Sequence, residues 1–339
     1  MAISSWNAGI IRPVAVAPAG PFQDGAAPGV WTLDQATFWI KQGLWPTAGN
    51  VAPIGLFGGG ESGPVNVIQY INISSTGNST DFGDLTLARG QLAGCASSTR
   101  GLFGGGETAV DKTNVIDYVT IATVGNATDF GDLTVARQAL GACSSSTRGV
   151  WAGGASTTNI IDYVTIATVG NATDFGDLTI ARYQIGGCSS PTRGVFAGGN
   201  DGITPYFNTI DYITIASTGN ATDFGDLDSV RSSVGACSSS TRGLFAGGSN
   251  SSGNLQTILY ITIASTGNST SFGNLLASKT ETAGCSSSTR GVFGGGQGDG
   301  DGNTIQYVTI ASTGNATDFG DLLSSRRTMG ACSNAHGGL

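Results

Sequence analysis

Six tyrosines, Tyr70, Tyr118, Tyr163, Tyr212, Tyr260 and Tyr307, are each followed 31 residues later by a glycine, at Gly101, Gly149, Gly194, Gly243, Gly291 and Gly338. The first five of these glycines open a Gly-hydrophobic-aromatic element that also begins at Gly55. So rigid a spacing in a 339-residue chain means one structural unit recurs, and that all variation in its length falls in one segment. That segment lies between the Gly-Gly after the aromatic and the next Tyr-bearing stretch.

Each unit contains four short extended pieces. In the third copy they are GACSSSTR (141–148), GVWAGG (149–154), NIIDYVTIAT (159–168) and DFGDLTIAR (174–182), here strands a to d. Strand c is rich in Val, Ile, Tyr and Thr, which favour extended backbone, and a Gly-Asn pair after it predicts a hairpin into strand d. Strand a is almost entirely Gly, Ala, Cys and Ser, as an innermost strand must be where sheets crowd towards an axis. Four strands per 45–49 residues is the arithmetic of a β-propeller. The array opens at Gly55 with a strand b and finishes in MGACSNAHGGL, a strand a without its b. The expected fold is therefore all-β: a six-bladed propeller over residues 54–339, its first blade completed by the C-terminal strand so that no edge is left unpaired.

The order of small strand, hydrophobic-aromatic-Gly-Gly, Tyr strand and Arg resembles kelch-type propeller repeats over 55–339. It departs from the usual pattern in lacking the Trp after the Tyr, for which Phe130 and its equivalents stand in. The near-identical copies (GNATDFGDL, CSSSTRG), together with the leader GPFQDGAAPGVWTLDQATFWIKQGLWP, are similar to virion structural proteins of tailed phages, particularly those of cyanobacteria and marine hosts. This resemblance implies a virion protein assembled in the bacterial host cytoplasm, oligomeric on the particle. The expected role is a non-enzymatic tail-fibre or tail-appendage adhesin recognising a host surface glycan or protein. The alternative is a head decoration, collar or nozzle subunit without receptor binding.

Composition restricts the partners. Charged residues make up 11% and net charge is −8, so neither nucleic acid nor an anionic membrane surface is expected. No run of 18 apolar residues predicts a spanning helix, and the N-terminus lacks the basic start of a secretory signal. The cysteines fall one per repeat, at Cys95, Cys143, Cys188, Cys237, Cys285 and Cys332. Equivalent positions are too far apart for disulfides, whose Cα atoms sit roughly 5.5–6 Å apart, so each reads as a small buried apolar residue. With a single histidine, His336, and no CxxC, neither a zinc site nor any other metal or cofactor is expected.

Asp-Phe-Gly, a magnesium-binding signature in protein kinases, occurs at 81–83, 129–131, 174–176, 223–225 and 318–320, with Ser271-Phe272-Gly273 as an altered copy. A catalytic ligand is needed once per site, so the recurrence points to architecture. The second Asp precedes a basic residue by five positions: Asp84/Arg89, Asp132/Arg137, Asp177/Arg182, Asp226/Arg231 and Asp321/Arg326, with Asn274/Lys279 in blade five. These pairs are expected to form charge-assisted contacts at each strand d to strand a corner. Asn78, Asn126, Asn171, Asn220, Asn268 and Asn315 match glycosylation acceptors but read better as turn residues that tolerate positive φ. Catalysis is not expected, since no distinct acid, base and nucleophile stand out.

The b–c loops differ in every blade and should emerge beside the d–a corners on one face, where they either carry specificity or vary because nothing constrains them. Tyr206 and Phe207 in blade four are the candidates for stacking on a sugar or a protein. Asp201, Asn254, Asp299 and Asp301 are the polar candidates, the last two in a Gly-Asp-Gly-Asp-Gly loop that lacks the bidentate Glu of a calcium site. Residues 1–53 differ in character: Trp6, Trp31, Trp39 and Trp45 lie there, and Thr32-Leu-Asp-Gln35 predicts the start of a helix over 33–42. This segment is expected to dock the chain onto other virion proteins.

Overall fold

The computed structural model describes residues 52–61, 63–155, 158–203, 206–300 and 302–339. The tryptophans of the leader, the helix expected over 33–42 and Asp301 lie outside the described residues. Within Pro53–Leu339 six four-stranded antiparallel sheets form a ring, so the chain carries a six-bladed β-propeller. Blade 3 shows the plan, with strand a at Gly141–Ser144, b at Arg148–Ala152, c at Ile160–Thr165 and d at Thr173–Asp177. Blade 1 is built from both parts of the chain. Its strand a, Gly330–Ser333, pairs with strand b, Ile54–Gly58, in the register Gly55↔Ser333 to Gly58↔Gly330.

The Asp-Phe-Gly motif turns out to be a bulge. Strand c of blade 2, Val115–Thr120, pairs Ile116 with Gly131 and Asp117 with Asp129, so Phe130 is the extra residue of strand d, Thr128–Asp132. The bulge sends the Phe130 ring into the core, 1% exposed, where it meets Tyr118 edge-on with centroids 5.8 Å apart. Gly131 then takes φ +139°, and a Cβ there would lie 2.6 Å from the Gly170 carbonyl. The next blade's c–d turn docks onto this spot.

That docking is the outer seal between blades. Gly125 N–H donates to Phe82 O at 2.8 Å, Ala127 N–H to Asp84 O at 2.7 Å, and Asp84 N–H to Asn126 Oδ1 at 3.1 Å. The same staple closes the ring, where Asp321 N–H donates to Asn78 Oδ1 at 3.0 Å. The repeated Asn is thus an acceptor for a neighbouring blade. It lies in the c–d turn as expected, but it is not among the non-glycine residues with positive φ, so the left-handed backbone that Asn tolerates is not what this turn uses.

Nearer the axis, each Cys Sγ fits into the hole left by a glycine of the following blade. A Cβ on Gly194 would lie 2.5 Å from Cys143 Sγ, and one on Gly55 2.6 Å from Cys285 Sγ. All six cysteines are free and buried, as expected, and burial pushes the Cys188 thiol up to about 12. The waist of the ring alternates Gly94, Ala142, Gly187, Ala236, Gly284 and Ala331. A Cβ on Gly94, Gly187 or Gly284 would fall 2.2–2.6 Å from the carbonyl oxygen of Ala331, Ala142 or Ala236.

Candidate functional site

The b–c loops and d–a links share one face, here the loop face; the a–b and c–d turns lie on the opposite, turn face. The polypeptide joins the propeller at Pro53 on the turn face, where Ile73 N–H donates to Pro53 O. On that side the C-terminal residues cap the axis. Ser144, Ser189, Ser238, Ser286 and Ser333 each donate an Oγ–H to the carbonyl of the preceding blade's equivalent residue, at 2.5–2.8 Å. Ala96 occupies the sixth position, and His336 binds there: Nε2–H donates to Ala96 O at 2.8 Å while Nδ1 accepts from Gly338 N–H at 3.0 Å. This geometry selects the neutral Nε2–H tautomer, and burial holds the imidazole pKa below its usual 6.5.

On the loop face a second ring surrounds the axis. Gln91, Ala139, Gln184, Ser233, Glu281 and Thr328, just before each strand a, all adopt φ of 54–61°, a conformation disfavoured outside glycine. Their amides close a circle: Gln91 N–H to Thr328 O, Ala139 to Gln91, Gln184 to Ala139, Ser233 to Gln184, Glu281 to Ser233 and Thr328 to Glu281, at 2.6–3.2 Å. The circle satisfies an amide and a carbonyl of every blade, which explains how the left-handed backbone is maintained. It frames a cavity of 130 Å³ that narrows at the Gly/Ala waist, with a 60 Å³ space beyond it reaching the serine ring and His336.

The mouth is acidic. All three glutamates of the chain, Glu61, Glu107 and Glu281, stand around it. Gln91 Nε2 donates to Glu61 at 2.9 Å and to Glu107 at 3.0 Å, and Gln138 Nε2 to Glu107 at 2.9 Å. Arg327 lies 3.7 Å from Glu61 and 3.5 Å from Glu281 and also donates to Gln297 Oε1. Burial raises the Glu281 carboxyl; Arg327 opposes the shift and Glu61 adds to it.

The expected Asp/Arg corners do not form. Arg89 pairs with Asp117 at 3.1 Å, Arg137 with Asp162 at 2.9 Å and Arg182 with Asp211 at 2.9 Å, each with a strand c carboxylate of the next blade. Both partners have fully buried side chains, whereas Asp84, Asp132 and Asp177 are half-buried on the outer strand. A guanidinium turned inward needs a carboxylate in the same dry place. Asp226 and Asp321 are likewise passed over: Arg231 takes Asp228 at 2.7 Å, and Arg326 takes Ser324 Oγ at 3.0 Å and Val67 O at 3.3 Å. The sequence carried a signal for this. Where strand c has Asp, the residue after Asp-Phe-Gly-Asp-Leu is Thr, and Thr86, Thr134 and Thr179 hydroxyls donate to Asp117, Asp162 and Asp211 at 2.6–2.7 Å. Where strand c has Gln69 or Gln306, that residue is Leu323 or Leu276, whose amide binds the Gln Oε1. Where strand c has Leu259, it is Asp228.

Of the ligand-binding candidates, Asn254 and Asp299 are exposed on neighbouring loops, with Asn254 Nδ2 3.4 Å from Gln297 O. Asp201 is half-buried, its Oδ1 accepting from Ile203 N–H at 2.8 Å. Tyr206 and Phe207 are also half-buried, the Phe207 backbone being tied to Gly199 and Arg231. The prominent apolar groups of the b–c loops are instead Val110 and Ile203, 94% and 91% exposed. Among the described residues no group of three His, Cys, Asp or Glu is arranged to hold a metal, and no helix is long and apolar enough to cross a membrane. In comparisons with known proteins, no described family matches the chain. No curated protein matches it either.

Proposed function

We propose that this chain is a non-enzymatic virion protein of a tailed phage, a divergent kelch-like propeller that attaches the particle to its host through the loop face. One observation carries the reading. Differences between blades concentrate in the b–c loops and the axial mouth, while the strands, the outer staples and the Cys–Gly packing repeat almost unchanged. Variable loops on a rigid ring suit recognition. The leader would hold the particle and the loops the host, as a surface glycan or protein.

The half-exposed aliphatics Leu87, Val135, Ile180, Val230, Leu276 and Leu323, one on each strand d exit, favour a second reading. A contact repeated in every blade suits a structural subunit of the head, collar or nozzle packed against neighbours. Gold labelling of intact particles, combined with adsorption of Val110→Asp/Ile203→Asp particles, separates the two. Label at the tail tip or fibres and loss of adsorption support attachment. Label on the head or collar with adsorption unchanged overturns it in favour of the structural role.

A further inference from the structure

Blades 2 to 6 seat an arginine in one way on the turn face. Arg100, Arg148, Arg193, Arg242 and Arg290, each the first residue of a strand b, lay the guanidinium over the tyrosine of their own blade, 4.5–4.8 Å from the ring centroid. Nη1 of each also donates to an isoleucine carbonyl just after strand c of the next blade, on Ile166, Ile215, Ile263, Ile310 or Ile73, at 2.9–3.0 Å. Arg100 and Arg242 reach the following carbonyl too, Ala167 O at 3.0 Å and Ala311 O at 2.9 Å. A guanidinium meets both demands at once, because it is flat, weakly hydrated and charged, and it carries several N–H donors.

Blade 1 breaks the series. Its strand b begins with Ile54, so no arginine of its own blade covers Tyr70. Among the described residues no donor reaches Ile121 O or Ala122 O, the carbonyls equivalent to those of Ile166 and Ala167. An isoleucine ends at Cδ1, short of where an arginine carries its guanidinium, and has nothing to donate. Tyr70 is half-buried and Ala122 exposed. The adjoining c–d turns depart from the repeat as well. Val124 of blade 2 and Val169 of blade 3 are 60% and 51% exposed, where the other four blades have Thr76, Thr218, Thr266 and Thr313. Val124 follows Ala122 and Thr123 in the chain, so apolar exposure on these turns begins beside the one seat the described residues do not fill.

We propose that Tyr70, Ile121 O and Ala122 O form a seat for an arginine side chain of a protein partner, with Val124 and Val169 receiving apolar side chains next to that arginine. The occupant's chemistry is read from the copies in blades 2 to 6, and the two valines favour a polypeptide over a free guanidine. The seat is on the turn face and stands whichever face meets the host. The repeat supplies substitutions that the fold already accommodates: Arg holds the position of Ile54 in blades 2 to 6, and Thr that of Val124 and Val169 in the others.

The test is NMR titration of the full chain with the capped peptide Leu-Arg-Leu, the same peptide with citrulline in place of arginine, and methylguanidinium. The arginine peptide should bind and shift Tyr70 and Ala122, and the uncharged citrulline peptide should bind about tenfold more weakly. Ile54→Arg should abolish binding by filling the seat from within, with Tm retained or raised. Val124→Thr/Val169→Thr should weaken binding about threefold. Equal binding of the citrulline peptide, or unchanged affinity in Ile54→Arg, overturns the seat. Methylguanidinium binding as tightly as the arginine peptide, with no loss in the valine variant, overturns the protein form. Binding that appears only in Arg12→Gln assigns the seat to the chain's own arginine and overturns the partner form.

Discussion

Replacing Asp211 with Leu tests whether the buried ion pairs are organised as the structure shows. Asp211 Oδ2 is 2.9 Å from Arg182 Nη1, its Oδ1 accepts from Thr179 at 2.6 Å, and both charged side chains are fully buried. Leu is tolerated by volume, since Leu259 holds the same place in blade 5 with no exposure. The loss is therefore that of an uncompensated buried guanidinium, about 3–5 kcal/mol, equivalent at roughly 2–4 °C per kcal/mol to a fall in Tm near 10 °C. Blade 5 keeps its Arg231 by placing Asp228 where blade 4's link has Thr179, with an Nη2–Oδ1 distance of 2.7 Å. Asp211→Leu/Thr179→Asp transplants that solution and should return about 2 kcal/mol, read as coupling in a double-mutant cycle by urea denaturation. A single variant that loses under about 1 kcal/mol, or a double variant no more stable than the single, would refute the pairing.

Gly194→Ala drives a methyl into Cys143 Sγ and should cost about 1–3 kcal/mol, much of it regained in Gly194→Ala/Cys143→Ala, as thermal unfolding would show. Asn126→Ala removes the acceptor for the Asp84 amide and should cost about 1 kcal/mol, with faster hydrogen exchange at Asp84 as the local readout. His336 is depressed below 6.5 in the fold, so its neutral form stabilises fully above that pH and the contribution falls away as acid brings the solution down through the folded pKa. His336→Phe should flatten the stability profile over that window; an unchanged slope would locate the pH dependence elsewhere.

The blade plan, the six-fold count, the closure by the last strand and the free cysteines were all legible, because each follows from period, side-chain size or strand pairing. The partners of the arginines were not. Spacing along the chain suggested Asp84 for Arg89, but the link carries Arg89 under the following blade, so the relevant neighbour is Asp117. Comparing repeats with each other would have found it, since the Thr, Asp and Leu choices change together between blades. The left-handed ring was hidden because Gln91, Ala139, Gln184, Ser233, Glu281 and Thr328 share a backbone conformation and no side-chain chemistry. Aromatic character drew attention to Tyr206 and Phe207, which the fold keeps half-buried, while the aliphatic Val110 and Ile203 stand out into solvent.

The alternation of glycine and alanine at the waist imposes a parity on the ring. Each of Gly94, Gly187 and Gly284 yields to the carbonyl of a preceding alanine blade, so the structural period at the axis is two blades, although the sequence period is one. A circle that alternates closes only on an even count. Loss or duplication of a single repeat would set two alanine blades or two glycine blades side by side, whereas gain or loss of an adjacent pair would leave every junction as it is. The module in which this propeller can be lengthened, shortened or recombined without redesign is accordingly the blade pair.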